Sequence, residues 1–191
     1  MIHHLGSELV YESILSFSTD PLIKEAYRLQ DSNQGQYTGE GNRSNRFGFQ
    51  SYEYFYKRHK THLFFELSNI FDTILEVINK DLDTRFNHII NNYWFNINYP
   101  GSYNELHNHD LPQTEIKGTS GVFYVKVPDN SGNIIFENES NVLEIQPCVG
   151  KLLLFPSYLY HKVSKNNSDS DRISIAFNLE GKVIESKRQI L

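Results

Sequence analysis

Three histidines hold the chemistry of this sequence. His107 and His109 sit two residues apart in YNELHNH. If that run is a strand, the pleat puts both rings on one face, about 7 Å apart at Cα. Two imidazoles side by side can hold one divalent metal ion. His161 comes much later, just past the run GKLLLFPS, and in a rolled sheet its strand can return beside the first. Arg172 and Ser174 then share one face of R-I-S. A guanidinium fork next to a hydroxyl is suited to gripping a carboxylate. Taken singly, each of these residues has a plainer reading, as a barrel-facing polar group satisfied by hydrogen bonds or, for Arg172, as a partner of Asp171. Their order, H-x-H, then H, then R, favours a site. His3, His4, His59, His62 and His88 read as surface or helix residues.

Such a site needs strands that return to one another. The period-2 segments are 89–99, 102–109, 120–127, 133–138, 142–146, 151–155, 158–163 and 172–179, and turn signals such as Pro100-Gly101, Pro128-Asp129 and Ser131-Gly132 separate most of them. Even spacing of short strands points to a mainly β (α+β) fold, with a double-stranded β-helix core of the jelly-roll or cupin kind. An immunoglobulin-like sandwich lacks its Cys and Trp pattern here. Ahead of the core, 8–17 reads as a strand, and Thr19-Asp20-Pro21 reads as a capped helix start. Residues 31–46 read as a polar loop. Phe64, Leu67, Phe71, Ile74 and Ile78 mark one buried helix face between about 59 and 81, widened by Leu63, Ile70 and Val77. The organisation is therefore one domain, 1–191. Residues 1–87 form a mainly helical support packed on the core, 88–180 the core and 181–191 a tail.

Composition narrows the function. The 191 residues are 39% hydrophobic and 21% charged, which excludes a disordered chain. Thirteen Phe, twelve Tyr and one Trp suit strands and concave pockets. A net charge of −5 without a basic stripe argues against nucleic acid as a partner. No apolar run approaches the roughly 20 residues of a membrane span. MIHHLGSELVYES lacks the pattern of a secretory signal, and Cys148, the single cysteine, permits no internal disulfide. The expected setting is cytoplasmic.

At residues 90–180 the sequence resembles a known family. YWFNINYPGSYNELHNHD, SGVFYVKVP, GNIIFEN, GKLLLFPSYLYHKV and DRISIAFNL, in that order, are similar to the small 2-oxoglutarate/Fe(II) oxygenases found widely in marine bacteria and their phages. A weaker echo lies in SNRFGFQSY (44–52). The resemblance implies an enzyme that uses Fe(II), 2-oxoglutarate as co-substrate and O₂, and whose default reaction is hydroxylation of a C–H bond. It implies His107 and His161 as metal ligands, and Arg172 with Ser174 as the anchor of the far carboxylate of 2-oxoglutarate. Tyr124 and Asn96, on neighbouring strands, are further candidates for co-substrate contact.

One position departs from the pattern. Where the wider superfamily has Asp or Glu, this chain has His109, followed by Asp110. The pleat turns Asp110 away from His107 unless a bulge intervenes, so a site of His107, His109 and His161 is favoured. All-histidine sites also occur in cupin-type oxygenases that use no keto acid. Two other readings therefore stand beside the first: a three-histidine cupin-type dioxygenase or isomerase, and a non-catalytic jelly-roll binding protein. No readable motif names the prime substrate. Its pocket is expected in 31–46, 110–119 and the aromatic run Phe49–Tyr56.

Overall fold

Alternation from residue 89 onward becomes strands, nearly where the sequence puts them. The computed structural model describes residues 1–39, 43–55, 63–81, 89–109 and 118–180. In chain order the elements are β1 (Ile2–Leu5), β2 (Glu8–Ile14), α1 (Asp20–Asp31), β3 (Gly35–Tyr37), β4 (Asn45–Arg46), β5 (Phe49–Ser51), β6 (Tyr54–Phe55) and α2 (Leu63–Asp81). Then follow β7 (Ile89–Asn98), β8 (Tyr103–His107), β9 (Thr119–Lys126), β10 (Ile134–Glu137), β11 (Val142–Ile145), β12 (Lys151–Pro156), β13 (Tyr160–Val163) and β14 (Arg172–Glu180).

Two antiparallel sheets form. The larger runs β1-β2-β12-β9-β14-β7-β5-β3, with β6 also paired to β7, and the smaller runs β11-β10-β13-β8-β4. Strands β7 to β14 alternate between the sheets except at the β10–β11 hairpin, which stays in the small one; this is the jelly-roll arrangement. Period 2 sorts the side chains. Phe95, Ile97, Phe123, Val125, Ile173, Ile175 and Phe177 face outward from the large sheet into the helices, where Leu22, Ala26 and Leu29 of α1 and Leu67, Ile70, Phe71 and Ile74 of α2 cover them. Val122, Tyr124, Leu153 and Phe155 face inward and meet Ile134, Phe136 and Ile145 of the small sheet. Each such side chain, fully buried, stabilises by about 1.5–3 kcal/mol. Phe64, Ile78 and Leu63 of the expected helix face fall outside the described side chains, as do residues 59–62.

The first third of the chain is more β-rich than its sequence suggests. It was expected to be mainly helical, yet its described residues hold six short strands besides two helices. β1 and β2 extend one edge of the large sheet through β12, β5 and β3 extend the other through β7, and β4 joins the small sheet at β8. Residues 31–46, read as loop, contain β3 and β4. Strands of two to four residues show no periodicity of their own; pairing with a neighbour makes them. Strand 8–17 ends at Ile14. Thr19 precedes α1 without a side-chain capping bond; its carbonyl instead accepts the Ile23 N–H at 3.0 Å. Among the described residues no helix is long and apolar enough to cross a membrane.

Candidate metal centre

β8 is irregular, and the irregularity aims the histidines. Asn104 opposes Val163 while His107 opposes His161, so three steps on β8 match two on β13. This β-bulge leaves Glu105 and Leu106 exposed and turns both Asn104 and His107 inward. The strand ends at His107, but its direction continues, with the His109 N–H donating to the Ser157 carbonyl at 2.8 Å. His109 thus follows His107 to the same side. The bulge lies before the H-x-H pair, so it does not disturb their shared parity. Asp110, the alternative ligand, lies outside the described residues.

All three histidines meet. Each offers a ring nitrogen, and these atoms lie within 4.8 Å of one another; among the described residues no other group of three such side chains comes together. Ring centroids are 4.2 Å apart for His107 and His161, 5.0 Å for His109 and His161, and 5.2 Å for His107 and His109. The outer nitrogens are all occupied. Nδ1 of His107 donates to the Glu105 carbonyl at 2.8 Å and Nδ1 of His161 to the Leu159 carbonyl at 3.0 Å. Nδ1 of His109 lies 3.0 Å from the Ser120 hydroxyl. With Nδ1 protonated, Nε2 of each ring carries the lone pair that a metal needs.

An apolar shell surrounds the cluster. Trp94 packs edge-on to His109 at 5.5 Å, and Phe155 and Phe136 flank His161 at 4.8 and 5.9 Å. Burial disfavours the imidazolium, and the neighbouring rings add to this for two of the three. His161 is held well below its ordinary value, His109 is lowered to about 4, and His107 is lowered too. Three neutral imidazoles are therefore ready at neutral pH, a donor set that suits Fe(II), Zn, Cu or Ni.

That depression has a measurable consequence. The unfolded chain binds protons on these rings below about pH 6.5, whereas in the folded chain His109 and His161 do not until far lower. Their neutrality thus leaves the metal-free protein's stability flat above about pH 6.5. Between there and about pH 4, stability falls by up to about 1.4 kcal/mol per pH unit for each of His109 and His161. Thermal melting between pH 7 and pH 4.5 checks this, and His109→Asn should flatten part of the slope.

The large sheet supplies the opposite wall in rows. On β14 the inward residues are Arg172, Ser174, Ala176 and Asn178, and the two neighbouring strands align with them. Asn178 lies between Asn92 and Ser120, Ala176 between Trp94 and Val122, and Ser174 between Asn96 and Tyr124, while Arg172 is opposite Asn98. Ser174, Asn96 and Tyr124 thus form one row, about 13 Å along the strand from the Asn178 row.

Arg172 sits at the deep end and is only 2% exposed. It does not pair with Asp171, whose carboxylate accepts the Tyr27 hydroxyl at 2.8 Å. Nη1 of Arg172 donates to the Ser131 and Gly132 carbonyls at 2.9 and 3.1 Å. Gly132 can present its carbonyl there because its φ is +89° and a Cβ would lie 2.2 Å from the Ser164 oxygen. Nε of Arg172 is buried without a hydrogen-bond partner, as is Oδ1 of Asn96, and no ion pair with a carboxylate is found for Arg172 among the described residues. Burial lowers the guanidinium pKa and pushes the Tyr124 phenol up to about 12, so that phenol remains a donor. A buried cation with an unsatisfied donor is costly alone and well suited to an anionic ligand.

Other sequence candidates separate from the site. Tyr158 is tied to Glu8, Tyr160 is exposed, and His3 pairs with Glu12 at 2.8 Å. His59, His62 and His88, Tyr56 and most of 110–119 lie outside the described residues. Sequence reading missed Ser120, Asn178 and Phe136. The parity of Tyr124 with Ser120, and of Ser174 with Asn178, was the signal that could have found the first two.

Residues 137–178 match a family model described as "Putative 2OG-Fe(II) oxygenase", a stretch that holds His161, Arg172 and Ser174. No curated protein sequence matches the chain. Among solved structures, a Pseudomonas putida prolyl-4-hydroxylase is similar with a TM-score of 0.66 at 14% identity, over 92% of this chain and 94% of that one. The viral collagen prolyl hydroxylase of Paramecium Bursaria Chlorella virus-1, solved with 2-oxoglutarate, gives 0.62 at 16%, over 89% and 94%. The α-ketoglutarate-dependent epimerase of nogalamycin biosynthesis gives 0.69 at 12%, over 90% and 77%. The chain thus has the jelly-roll fold of 2OG-Fe(II) oxygenases, enzymes of Fe(II), 2-oxoglutarate and O₂, and over residues 137–178 it carries their sequence pattern.

Proposed function

We propose that this chain is an Fe(II)- and 2-oxoglutarate-dependent oxygenase, a hydroxylase of the small type carried by marine bacteria and their phages. The observation that carries the reading is the convergence of His107, His109 and His161 with every Nδ1 engaged and every Nε2 left as a donor. Fe(II) held there would activate O₂ and couple decarboxylation of the keto acid to oxidation of a substrate C–H bond. The protein's own part is placement. Arg172 binds the far carboxylate of 2-oxoglutarate through its buried guanidinium, with the Ser174 and Tyr124 hydroxyls donating beside it and Asn96 lining the same row. Trp94, Phe136 and Phe155 exclude water from the metal. A reducing cytoplasm suits both Fe(II) and the exposed, unpaired Cys148.

The relatives in fold hydroxylate prolyl residues or epimerise, so the fold does not choose the reaction. His109 in place of a carboxylate favours one other reading, a three-histidine oxygenase that uses no keto acid. Anaerobic Fe(II) titration with and without 2-oxoglutarate decides between them. The expected result is a visible metal-to-ligand charge-transfer band that needs both components. Fe(II) binding without any band on adding 2-oxoglutarate would overturn the reading in favour of the keto-acid-free enzyme. No Fe(II) binding at all would leave a non-catalytic jelly roll.

A further inference from the structure

His107 and His161 are oriented by main-chain carbonyls, whereas His109 is oriented by side chains, and those side chains form a series. The His109 Nδ1 meets the Ser120 hydroxyl at 3.0 Å, and that hydroxyl donates to Oδ1 of Asn178 at 2.7 Å. Nδ2 of Asn178 donates to Oδ1 of Asn92 at 3.0 Å, and Nδ2 of Asn92 donates to the Glu53 carboxylate at 3.0 Å. Ser120, Asn178 and Asn92 are direct Cα partners across β9, β14 and β7, so one row of the large sheet builds the whole series. Glu53 stands just before β6, which pairs with β7 at Asn92.

Its direction follows from one end. A carboxylate only accepts, so Asn92 must turn its NH₂ toward Glu53 and its oxygen toward Asn178. Asn178 must then turn its NH₂ to Asn92 and its oxygen to Ser120. The Ser120 proton is thereby committed to Asn178. Its lone pairs are left for the Ser157 hydroxyl, 2.8 Å away, and for His109. His109 has to supply a proton from Nδ1, and its lone pair is confined to Nε2. Arg43 donates to the Glu53 carboxylate at 3.1 Å and closes the series.

We propose that Ser120, Asn178, Asn92 and Glu53 are positioning residues that fix His109 as an Nε2 metal ligand and pass to it the polarity of a remote carboxylate. The inference rests on the metal-centre part of the proposed function and not on 2-oxoglutarate. A ligand histidine whose outer N–H leads to an anion is a stronger donor, and disturbing such outer partners costs about ten- to a hundredfold in metal affinity.

Co(II) alone is the probe, read by quenching of Trp94, the single tryptophan, whose ring lies 5.5 Å from that of His109. Long-range proton–nitrogen correlation spectra of the metal-free protein report the His109 tautomer directly. In the wild type, His109 should be Nδ1-protonated. Ser120→Ala and Asn178→Ala should each give mixed tautomers and about a tenfold or greater loss of Co(II) affinity. Glu53→Gln, on an exposed side chain at the far end of the series, should give a smaller loss than either, with the same tautomer mixing. Ser120→Thr keeps the hydroxyl and should restore the wild-type tautomer. The inference is overturned if Ser120→Ala and Glu53→Gln retain an Nδ1-protonated His109 and wild-type Co(II) affinity, or if the wild type binds no Co(II). A missing 2-oxoglutarate band, with the Co(II) and tautomer effects intact, would fault the co-substrate reading and support the series.

Discussion

Arg172→Ala should raise the apparent constant for 2-oxoglutarate by about two to three orders of magnitude and leave Fe(II) affinity nearly unchanged. The size follows from the loss of a buried, charge-assisted contact, roughly 2–5 kcal/mol, part of it from leaving the carboxylate unpaired, at about 1.4 kcal/mol per tenfold. The selectivity follows from place. Arg172 lies at the deep end of β14, bonded to the Ser131 and Gly132 carbonyls, and none of its hydrogen bonds involves a histidine of the cluster. Those two carbonyls lose their donor in the variant, which costs stability by about 1–3 kcal/mol and is read separately by thermal melting. Arg172→Lys keeps the charge and loses the fork, so its effect should fall in between. A pure iron defect in Arg172→Ala, with 2-oxoglutarate binding intact, would contradict the assignment.

His107→Ala and His161→Ala should each lose Fe(II). Outer-shell changes around metals cost about ten- to a hundredfold, so removing one of three ligands should cost more than about a hundredfold. The fold should survive, because the inter-sheet core of Val122, Leu153, Phe155, Ile134 and Phe136 is built without the metal. His109→Ala should weaken binding far more than Asp110→Ala, since the bulge before His107 leaves the His-x-His parity intact. Equilibrium dialysis at metal concentrations near the wild-type dissociation constant checks all four. Full occupancy in His107→Ala or His161→Ala, or a greater loss in Asp110→Ala, would refute the three-histidine site.

The sequence by itself determined the strand order from residue 89 to 180, the inward parity of His107 with His109 and of Arg172 with Ser174, and the apolar face of α2. Each is a periodicity, and period 2 or 3.6 survives in one dimension because a strand or helix repeats its own geometry. Tertiary structure alone decided the rest. Five of the six strands ahead of residue 56, all but β2, exist because a neighbouring strand offers them hydrogen bonds, which a run of two to four residues cannot announce. The bulge at Glu105 and Leu106 appears only against β13 as a ruler. Arg172 passes over its neighbour Asp171 because Tyr27, far away in sequence, already holds that carboxylate, while the loop at Ser131 and Gly132 turns two carbonyls to the guanidinium. The row Ser120–Asn178–Asn92 is likewise invisible in one dimension, since its three members come from strands that the chain visits at separate times. Register between strands is a property of pairs, and only folding chooses the pairs.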